Sequence, residues 1–241
     1  MIDTSYRRSL SHKVDGVIPK KVIDKLNKSK SWKYGYNKEY DVVIISKDGT
    51  IGDILEINDL KIALPKQPDD IRFEWLDKGN RKWVRYQVPR DLAYFDKIYK
   101  DEPNPEQKLN EIYKKHKRFI DEDIYRKFNG DWFMCDDEPI YITGYYYFFL
   151  QHYKLTASKR YPDFRMPQRD YFLFLEACLA DNRCYGVLLL KSRRSGFSTS
   201  SGSITLCKSI TYKNGYFPIV SKKEKDAEVL FIQHIVKPFL E

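Results

Sequence analysis

The sequence predicts an α/β fold, in which a parallel β-sheet with helices on both faces begins in the last third of the chain. Apolar runs at residues 185–190 and 216–220 have the composition of buried strands, and each precedes a segment with helical character. Two parallel strands joined through a helix are the basic unit of such a sheet. A β-hairpin-rich and helical N-terminal region is expected to precede it.

Composition sets the outer limits of this prediction. The chain has 241 residues, of which 42% are hydrophobic and 15% aromatic, so a folded core is expected. The sequence contains no apolar run of about 18 residues, the length that a membrane-spanning helix needs. Its first residues are too polar for a secretion signal. A cytoplasmic protein without membrane contacts is the simplest expectation.

The cysteines and histidines do not predict a metal centre. The four cysteines and four histidines lack the short spacings that metal ligands show in a sequence. We therefore expect no structural metal, and reduced thiols in a reducing compartment.

Residues 1–38 are predicted to form a basic N-terminal arm. They contain ten Lys or Arg and three Asp, which gives +7 of the chain's formal net charge of +9. Such an arm would gain free energy from counterion release on a polyanion. A solvated, partly mobile terminus explains the same composition equally well.

Residues 39–100 are predicted to be a β-rich accessory module without chemistry of its own. Strands are expected at 40–46, 51–57 and 60–64, because β-branched and apolar residues there are separated by Lys-Asp-Gly and Asn-Asp turns. A further hairpin is expected from segments 71–76 and 83–88.

Residues 101–160 are predicted to be a helical and aromatic connecting region. Asn104 and Pro105 form a typical helix start, and apolar residues recur at spacings of three and four over 109–120, with His116 on the packed face. The aromatic run after Thr143 suits either a buried helix or a base-stacking surface for single strands. The buried helix is favoured, because the segment is apolar nearly all round.

Residues 161–241 are predicted to hold the functional part of the chain. A helix begins at Gln168, the strand at 185–190 follows, and a basic glycine-containing loop leads into a small-residue helix over 198–208. The second strand is expected at 216–220. A final helix over 224–236 is expected to be capped by Ser221.

The loop after the first strand has most of the pattern of a phosphate-binding P-loop, GxxxxGK[ST]. Gly196 takes the place of the second glycine and Ser198 that of the magnesium-binding hydroxyl. Phe197 replaces the usual lysine, whereas Lys191 stands at the front of the loop in place of the first glycine. A long side chain from either end can approach the γ-phosphate, and the helix start adds amide donors for an anion. A basic surface turn after a buried strand is the alternative interpretation.

Residues 191–198, Lys-Ser-Arg-Arg-Ser-Gly-Phe-Ser, resemble the deviant Walker A motif of the large terminase subunit of tailed bacteriophages. In that family the lysine is commonly displaced to the front of the loop. Residues 166–171 are similar to the family's adenine-side segment, and 217–221 with 225–228 resemble its next strand and helix. Residues 138–145 are similar to divergent phage terminases, so the resemblance covers roughly residues 130–241.

The resemblance implies the start of a P-loop NTPase domain of the ASCE, RecA-like type, which uses ATP and Mg²⁺ to drive viral DNA into a capsid. It implies that Lys191 and Arg194 are catalytic, binding the γ-phosphate and stabilising its transfer to water. It also implies that Gln168 contacts adenine and that Ser198 holds magnesium through the nucleotide. The full nucleotide-binding set implied in this way is Gln168, Lys191, Ser192, Arg193, Arg194, Ser195, Gly196, Phe197, Ser198 and Thr199.

The resemblance further implies partners and a location. The partners are double-stranded DNA, a portal protein, a small terminase subunit and further copies of the chain in a homo-oligomeric ring, without a membrane. The location is the host cytoplasm, with transient docking on the viral procapsid.

A Walker B motif, an apolar strand ending in Asp-Glu, is not found after the loop. The superficial candidate at 132–138 precedes the loop and is expected to be a turn. We therefore expect an N-terminal fragment that binds nucleotide weakly, hydrolyses little and lacks the family's nuclease activity. The alternatives are another P-loop translocase or helicase, which normally keeps the GK[ST] lysine, and a non-catalytic nucleic-acid-binding module of virion assembly.

Overall fold

The computed structural model describes residues 9–71, 83–94, 103–135, 138–190 and 196–240. The strands are β1 (His12–Lys13), β2 (Gly35–Asn37), β3 (Val42–Ile44), β4 (Ile54–Ile57), β5 (Leu60–Ala63), β6 (Asp131–Cys135) and β7 (Glu138–Ile142). The α-helices are α1 (Lys20–Lys28), α2 (Pro105–Lys115), α3 (Lys117–Asn129), α4 (Gly144–Gln151), α5 (Met166–Ala180), α6 (Phe197–Thr211), α7 (Glu224–Phe231) and α8 (Lys237–Leu240). A 3₁₀-helix spans Arg90–Tyr94, and a π-helical turn, Ile232–Val236, joins α7 to α8. Within the described ranges, no helix combines the length and apolarity needed to cross a bilayer.

Five strands form one mixed sheet in the order β1-β4-β5-β3-β2. Strands β3 and β5 are parallel, and the other neighbours are antiparallel. The sheet confirms the strands predicted at 40–46, 51–57 and 60–64. It also contains β1 and β2, which come from the segment predicted to be a basic arm. Residues 12–37 are therefore part of a folded layer, and the α/β class holds for the described chain.

Helices cover both faces of this sheet, because successive side chains of a strand point to opposite faces. Val43 and Ile62 are fully buried and pack in one cluster with Leu173 of α5. Val42 and Ala63, each one residue away along the strand, pack in a second cluster with side chains of α1. The sheet therefore fixes the position of α5, whose N-terminal turn contains Gln168.

The aromatic run after Thr143 forms a buried helix, as predicted. The Thr143 hydroxyl accepts a hydrogen bond from the Tyr146 amide at 3.3 Å and so caps α4. At Gly144, α4 passes so close to the end of α3 that a Cβ atom would overlap the Lys127 carbonyl oxygen. The rings of Tyr146 and Phe172 stack with their centroids 4.7 Å apart, which joins α4 to α5.

Two helices differ in detail from the predictions. The helix expected over 109–120 is divided at His116 into α2 and α3, and the His116 ring lies 3.1 Å from the Asp91 carboxylate at this junction. Helix α7 begins at Glu224, but its N-cap position is Lys223 rather than Ser221, and the Lys223 side chain makes no capping hydrogen bond.

A hairpin was expected from residues 71–76 and 83–88. The described residues of these two segments do not form one. Residues 83–88 form no strand, and most of 71–76 lies outside the described residues. The backbone of Tyr86 bonds instead to a side chain: its amide donates to Gln151 Oε1 at 2.9 Å, and its carbonyl accepts from Gln151 Nε2 at 3.0 Å. The buried Gln151 side chain thus forms the two backbone hydrogen bonds of Tyr86 that a neighbouring strand would otherwise form.

The predictions of strands at 185–190 and 216–220 are wrong for this structure. Neither segment has strand geometry, and neither pairs with a described strand. Most of their apolar side chains face solvent instead, with Leu188 91% and Val220 87% exposed, although Ile219 packs against the core. A parallel strand needs neighbours for its backbone groups and a cover on both faces. The described chain provides neither, so the parallel unit expected around the loop is not formed.

Strands β6 and β7 pair in antiparallel register, with Trp132 opposite Tyr141. The segment that superficially resembles a Walker B strand is therefore one half of a two-stranded hairpin. Asp136 and Asp137, which lie between the two strands, are outside the described residues.

Candidate functional site

The centre of the candidate site is the start of α6. Gly196 occupies the N-cap position in the left-handed region, with φ of +81°, which glycine adopts without the steric cost of a side chain. Its carbonyl accepts the first helical hydrogen bond, from the Ser200 amide at 3.0 Å. The described residues provide no side-chain cap for the first turn. The amides of this turn and the helix dipole therefore favour an anion.

Gln168 in the first turn of α5 lies directly beside this helix start. A Cβ atom built on Gly196 would lie 3.1 Å from Gln168 Nε2. Glycine is thus favoured at position 196 by its backbone conformation, and a side chain there would also press on this amide. Gln168 is 7% exposed, and its Oε1 has no hydrogen-bond partner among the described residues. Because a buried polar atom without a partner costs free energy, the carboxamide oxygen is suited to accept a bond from a ligand.

Phe197 fixes α6 against α5. Its ring meets the Tyr171 ring edge to face, with centroids 4.8 Å apart and planes at 83°. The Tyr171 hydroxyl lies 3.1 Å from Ser201 Oγ, one turn further along α6. At the position where a standard P-loop has lysine, this chain has an aromatic ring that holds the two helix starts side by side.

A buried ion pair follows Gln168 in the same helical turn. The Arg169 guanidinium donates to Asp170 at 3.0 Å, and it also donates to the Tyr141 carbonyl at 3.0 Å. Burial lowers the pKa of Arg169, although the charge of Asp170 opposes this effect. The pair makes the first turn of α5 rigid and thereby holds the neighbouring Gln168 in place.

Residues near the N-terminus complete this arrangement. The Asp170 carboxylate accepts hydrogen bonds from the Ser9 hydroxyl at 2.9 Å, the Leu10 amide at 2.6 Å and the Ser11 hydroxyl at 3.0 Å. Arg169 and Asp170 were not among the predicted site residues. Two adjacent residues of opposite charge in a largely apolar helix were the signal for a buried pair, but the partner segment lies some 160 residues away.

The structure brings together only some of the predicted site residues. Gln168, Gly196 and Phe197 lie next to one another. Ser198 is exposed at the start of α6 and Thr199 follows it; the exposed Ser198 hydroxyl has no hydrogen bond within the described residues. The remaining predicted residues, Lys191, Ser192, Arg193, Arg194 and Ser195, lie outside the described residues.

The described residues fit a nucleotide in two respects. The uncapped start of α6 suits phosphate oxygens, and the carboxamide of Gln168 has both the acceptor and the donor that the adenine N6 and N7 edge requires. Within the described part of the chain, no group of three or more His, Cys, Asp or Glu side chains is placed to hold a metal ion.

No family model matches this chain, and no curated protein or solved structure shows significant similarity to it.

Proposed function

We propose that this chain is the ATP-binding part of a viral DNA-packaging motor, related to the large terminase subunit, which couples ATP hydrolysis to movement of double-stranded DNA into a capsid. The observation that carries the proposal is the buried, unpartnered Oε1 of Gln168 beside the glycine that starts α6. The terminase-like sequence of the loop supports the choice of motor. The P-loop fold, the ring of subunits, and the portal and small-subunit partners belong to the same proposal.

In this proposal the residues have separate tasks. The carboxamide of Gln168 selects adenine, the first-turn amides of α6 bind phosphate oxygens, and Ser198 offers its exposed hydroxyl to the magnesium ion that accompanies the nucleotide. Lys191 and Arg194 bring positive charge to the γ-phosphate from the loop. Bound ATP with Mg²⁺ supplies the phosphoryl group whose transfer to water drives translocation.

Titration of the chain with ATP and with GTP tests binding of the base and binding of the phosphates separately. GTP presents an acceptor oxygen where ATP presents the N6 amino group, so Gln168→Ala should weaken ATP binding about tenfold and leave GTP binding nearly unchanged, as expected for one lost hydrogen bond of about 1.4 kcal/mol. Lys191→Ala should weaken both nucleotides, because both carry the same phosphates.

Exposed residues provide matched controls for this experiment. Gln67 and Lys28 are exposed and far from the site in the sequence, so Gln67→Ala and Lys28→Ala should bind both nucleotides as the unchanged chain does. Equal ATP affinity in the unchanged chain and in Lys191→Ala would remove the lysine from its role. Absence of nucleotide binding in the unchanged chain would favour a non-catalytic nucleic-acid-binding module.

A further inference from the structure

Two cysteines lie together where α5 ends and the segment toward the loop begins. Cys178 is in the last turn of α5, and Cys184 follows the turn that closes this helix. The Asp181 amide donates to the Ala177 carbonyl, and the Cys184 amide donates in turn to the Asp181 carbonyl at 3.0 Å. These two bonds turn the chain back on itself after α5, so that Cys184 lies near the C-terminal end of that helix.

The turn that positions Cys184 is held by a charged pair. The Arg183 guanidinium binds the Asp181 carboxylate through two nitrogens, at 2.8 and 3.0 Å. It also lies over the Tyr36 ring at 3.3 Å from the ring centre, which ties the turn to β2. A planar guanidinium fixed on both sides in this way limits the movement of the residue that follows it.

The two thiols line one open cleft of about 420 Å³ between α5, α6 and residues 184–189. Both are partly exposed, and the two thiols are close enough for the interaction with Cys184 to raise the pKa of Cys178. The Cys184 thiol is directed to the Gly186 carbonyl oxygen, 3.4 Å away. The sulfurs are thus adjacent to each other and accessible to a small solute.

We propose that Cys178 and Cys184 are a reversible dithiol site, which a hydroperoxide converts into an intramolecular disulfide. The Cys184 sulfur attacks the peroxide oxygen, which breaks the O–O bond and leaves a sulfenic acid and one water molecule. The Cys178 sulfur then displaces the sulfenic oxygen, and its proton leaves with that oxygen as a second water. Two thiols and one hydrogen peroxide thus give one disulfide and two waters.

The order of these steps follows from the surroundings of the two sulfurs. Burial, followed by the hydrogen bond to Cys184, raises the pKa of Cys178 to about 12, so this residue stays a thiol at neutral pH. The thiolate is the nucleophile toward a peroxide, so Cys178 is poorly suited to make the first attack. Cys184 is therefore oxidised first, and Cys178 resolves the sulfenic acid.

Trypsin provides a direct test, because it cleaves after Arg183, between the two cysteines. The unchanged chain is treated with hydrogen peroxide, its remaining thiols are alkylated, and it is denatured and digested. We expect peptides 170–183 and 184–191 to appear joined, lighter by two hydrogen atoms than their sum, and to separate on reduction with dithiothreitol. The joined pair should be absent from Cys178→Ser and Cys184→Ser and retained in Cys135→Ser.

The order of oxidation is tested with dimedone, which traps sulfenic acids. Cys178→Ser should retain a dimedone adduct at Cys184, whereas Cys184→Ser should give little adduct at Cys178. Full alkylation of both cysteines after peroxide treatment would overturn the proposal, and so would disulfide-linked dimers or sulfinic acid at Cys184 without the joined peptides. None of these outcomes depends on nucleotide binding.

Discussion

The buried carboxylate of Asp123 is held by donors from two helices. The Tyr147 hydroxyl donates at 2.7 Å, the His152 ring lies 2.8 Å away and the Lys127 ammonium lies at 2.9 Å. Burial by itself would raise the pKa of Asp123, but His152 and Lys127 outweigh it and keep the pKa well below its usual range. The pKa of His152 is lowered, chiefly because its ring is buried, and Lys127 and Arg85 add to this effect against the attraction of Asp123.

These shifts predict an acid-labile fold. The unfolded chain binds a proton at His152 below its ordinary pKa of 6.5, where the folded chain does not. The free energy of unfolding should therefore fall as the pH drops below about 6.5, by up to about 1.4 kcal/mol per pH unit for this group. The depressed pKa of Asp123 adds a further loss below its ordinary value of 3.8.

Urea unfolding at pH 7.5, 6.0 and 5.0 measures this dependence, with His152→Gln as the variant. Glutamine keeps a donor for Asp123 but does not titrate, so its profile should be flatter than that of the unchanged chain between pH 6.5 and 5. His234, whose pKa is also lowered by burial, is present in both proteins and cancels in the difference. Parallel profiles would show that His152 does not titrate on unfolding.

Sequence reasoning selected Gly196 from the loop pattern and Gln168 from the resemblance to terminases, and the structure places the two side by side. It did not identify the contact of Asp170 with Ser9, because two serines far away in a polar terminus carry no sign of their partner. It also assigned Phe197 only to the loop pattern, whereas the structure shows that its ring packs on Tyr171. Contacts between residues far apart in the sequence depend on the tertiary fold, and a local sequence pattern does not predict them.

Helices were predicted better than strands for a physical reason. The backbone bonds of a helix lie within the segment, so a cap such as Thr143 and an apolar face suffice to define it. A strand needs a neighbour, and residues 185–190 have the composition of a strand without a described partner. Strands β4 and β5 were found because a short turn joins the two partners in the sequence, whereas the antiparallel strands β1 and β2 were missed.

Helix α4 offers a test of close packing between two elements. In Gly144→Ala the new methyl group would overlap the Lys127 carbonyl oxygen, so α3 and α4 must separate. We expect a loss of about 2–3 kcal/mol in the free energy of unfolding, as for other overpacked sites. Gly186→Ala is the matched control, because nothing lies within 4 Å of its added Cβ; equal stability of the two variants would mean that the helices do not cross at Gly144.

The whole molecule is divided between a well-covered part and an uncovered one. The five-stranded sheet has helices on both faces, whereas Tyr185, Leu188 and Leu190 lie at least 90% exposed beyond the end of α5. Exposed apolar side chains that follow one another along the chain are a known cause of association between molecules. The described protein therefore combines a well-packed core with exposed apolar segments, of which residues 185–190 are one.

Replacing one exposed leucine should reduce association between molecules without affecting the core. We expect Leu188→Lys to remain monomeric at concentrations roughly ten times those at which the unchanged chain associates, since one buried leucine contributes about 1.5–3 kcal/mol. Light scattering across a dilution series measures the effect, and urea unfolding should show unchanged stability. Ile124→Lys, on the exposed side of α3, is the control, and an equal effect there would point to net charge as the cause.

The contact between Ser9 and Asp170 sets the earliest time at which residues 9–11 can be fixed in place. The two residues are 161 positions apart, so Asp170 leaves the ribosome about 8–30 s after Ser9 at ordinary rates of synthesis. During that interval the sheet from β2 to β5 has all of its strands, whereas residues 9–11 lack the Asp170 carboxylate that accepts their hydrogen bonds. Residues 9–11 are thus made first but fixed only after the N-terminal turn of α5 has been made.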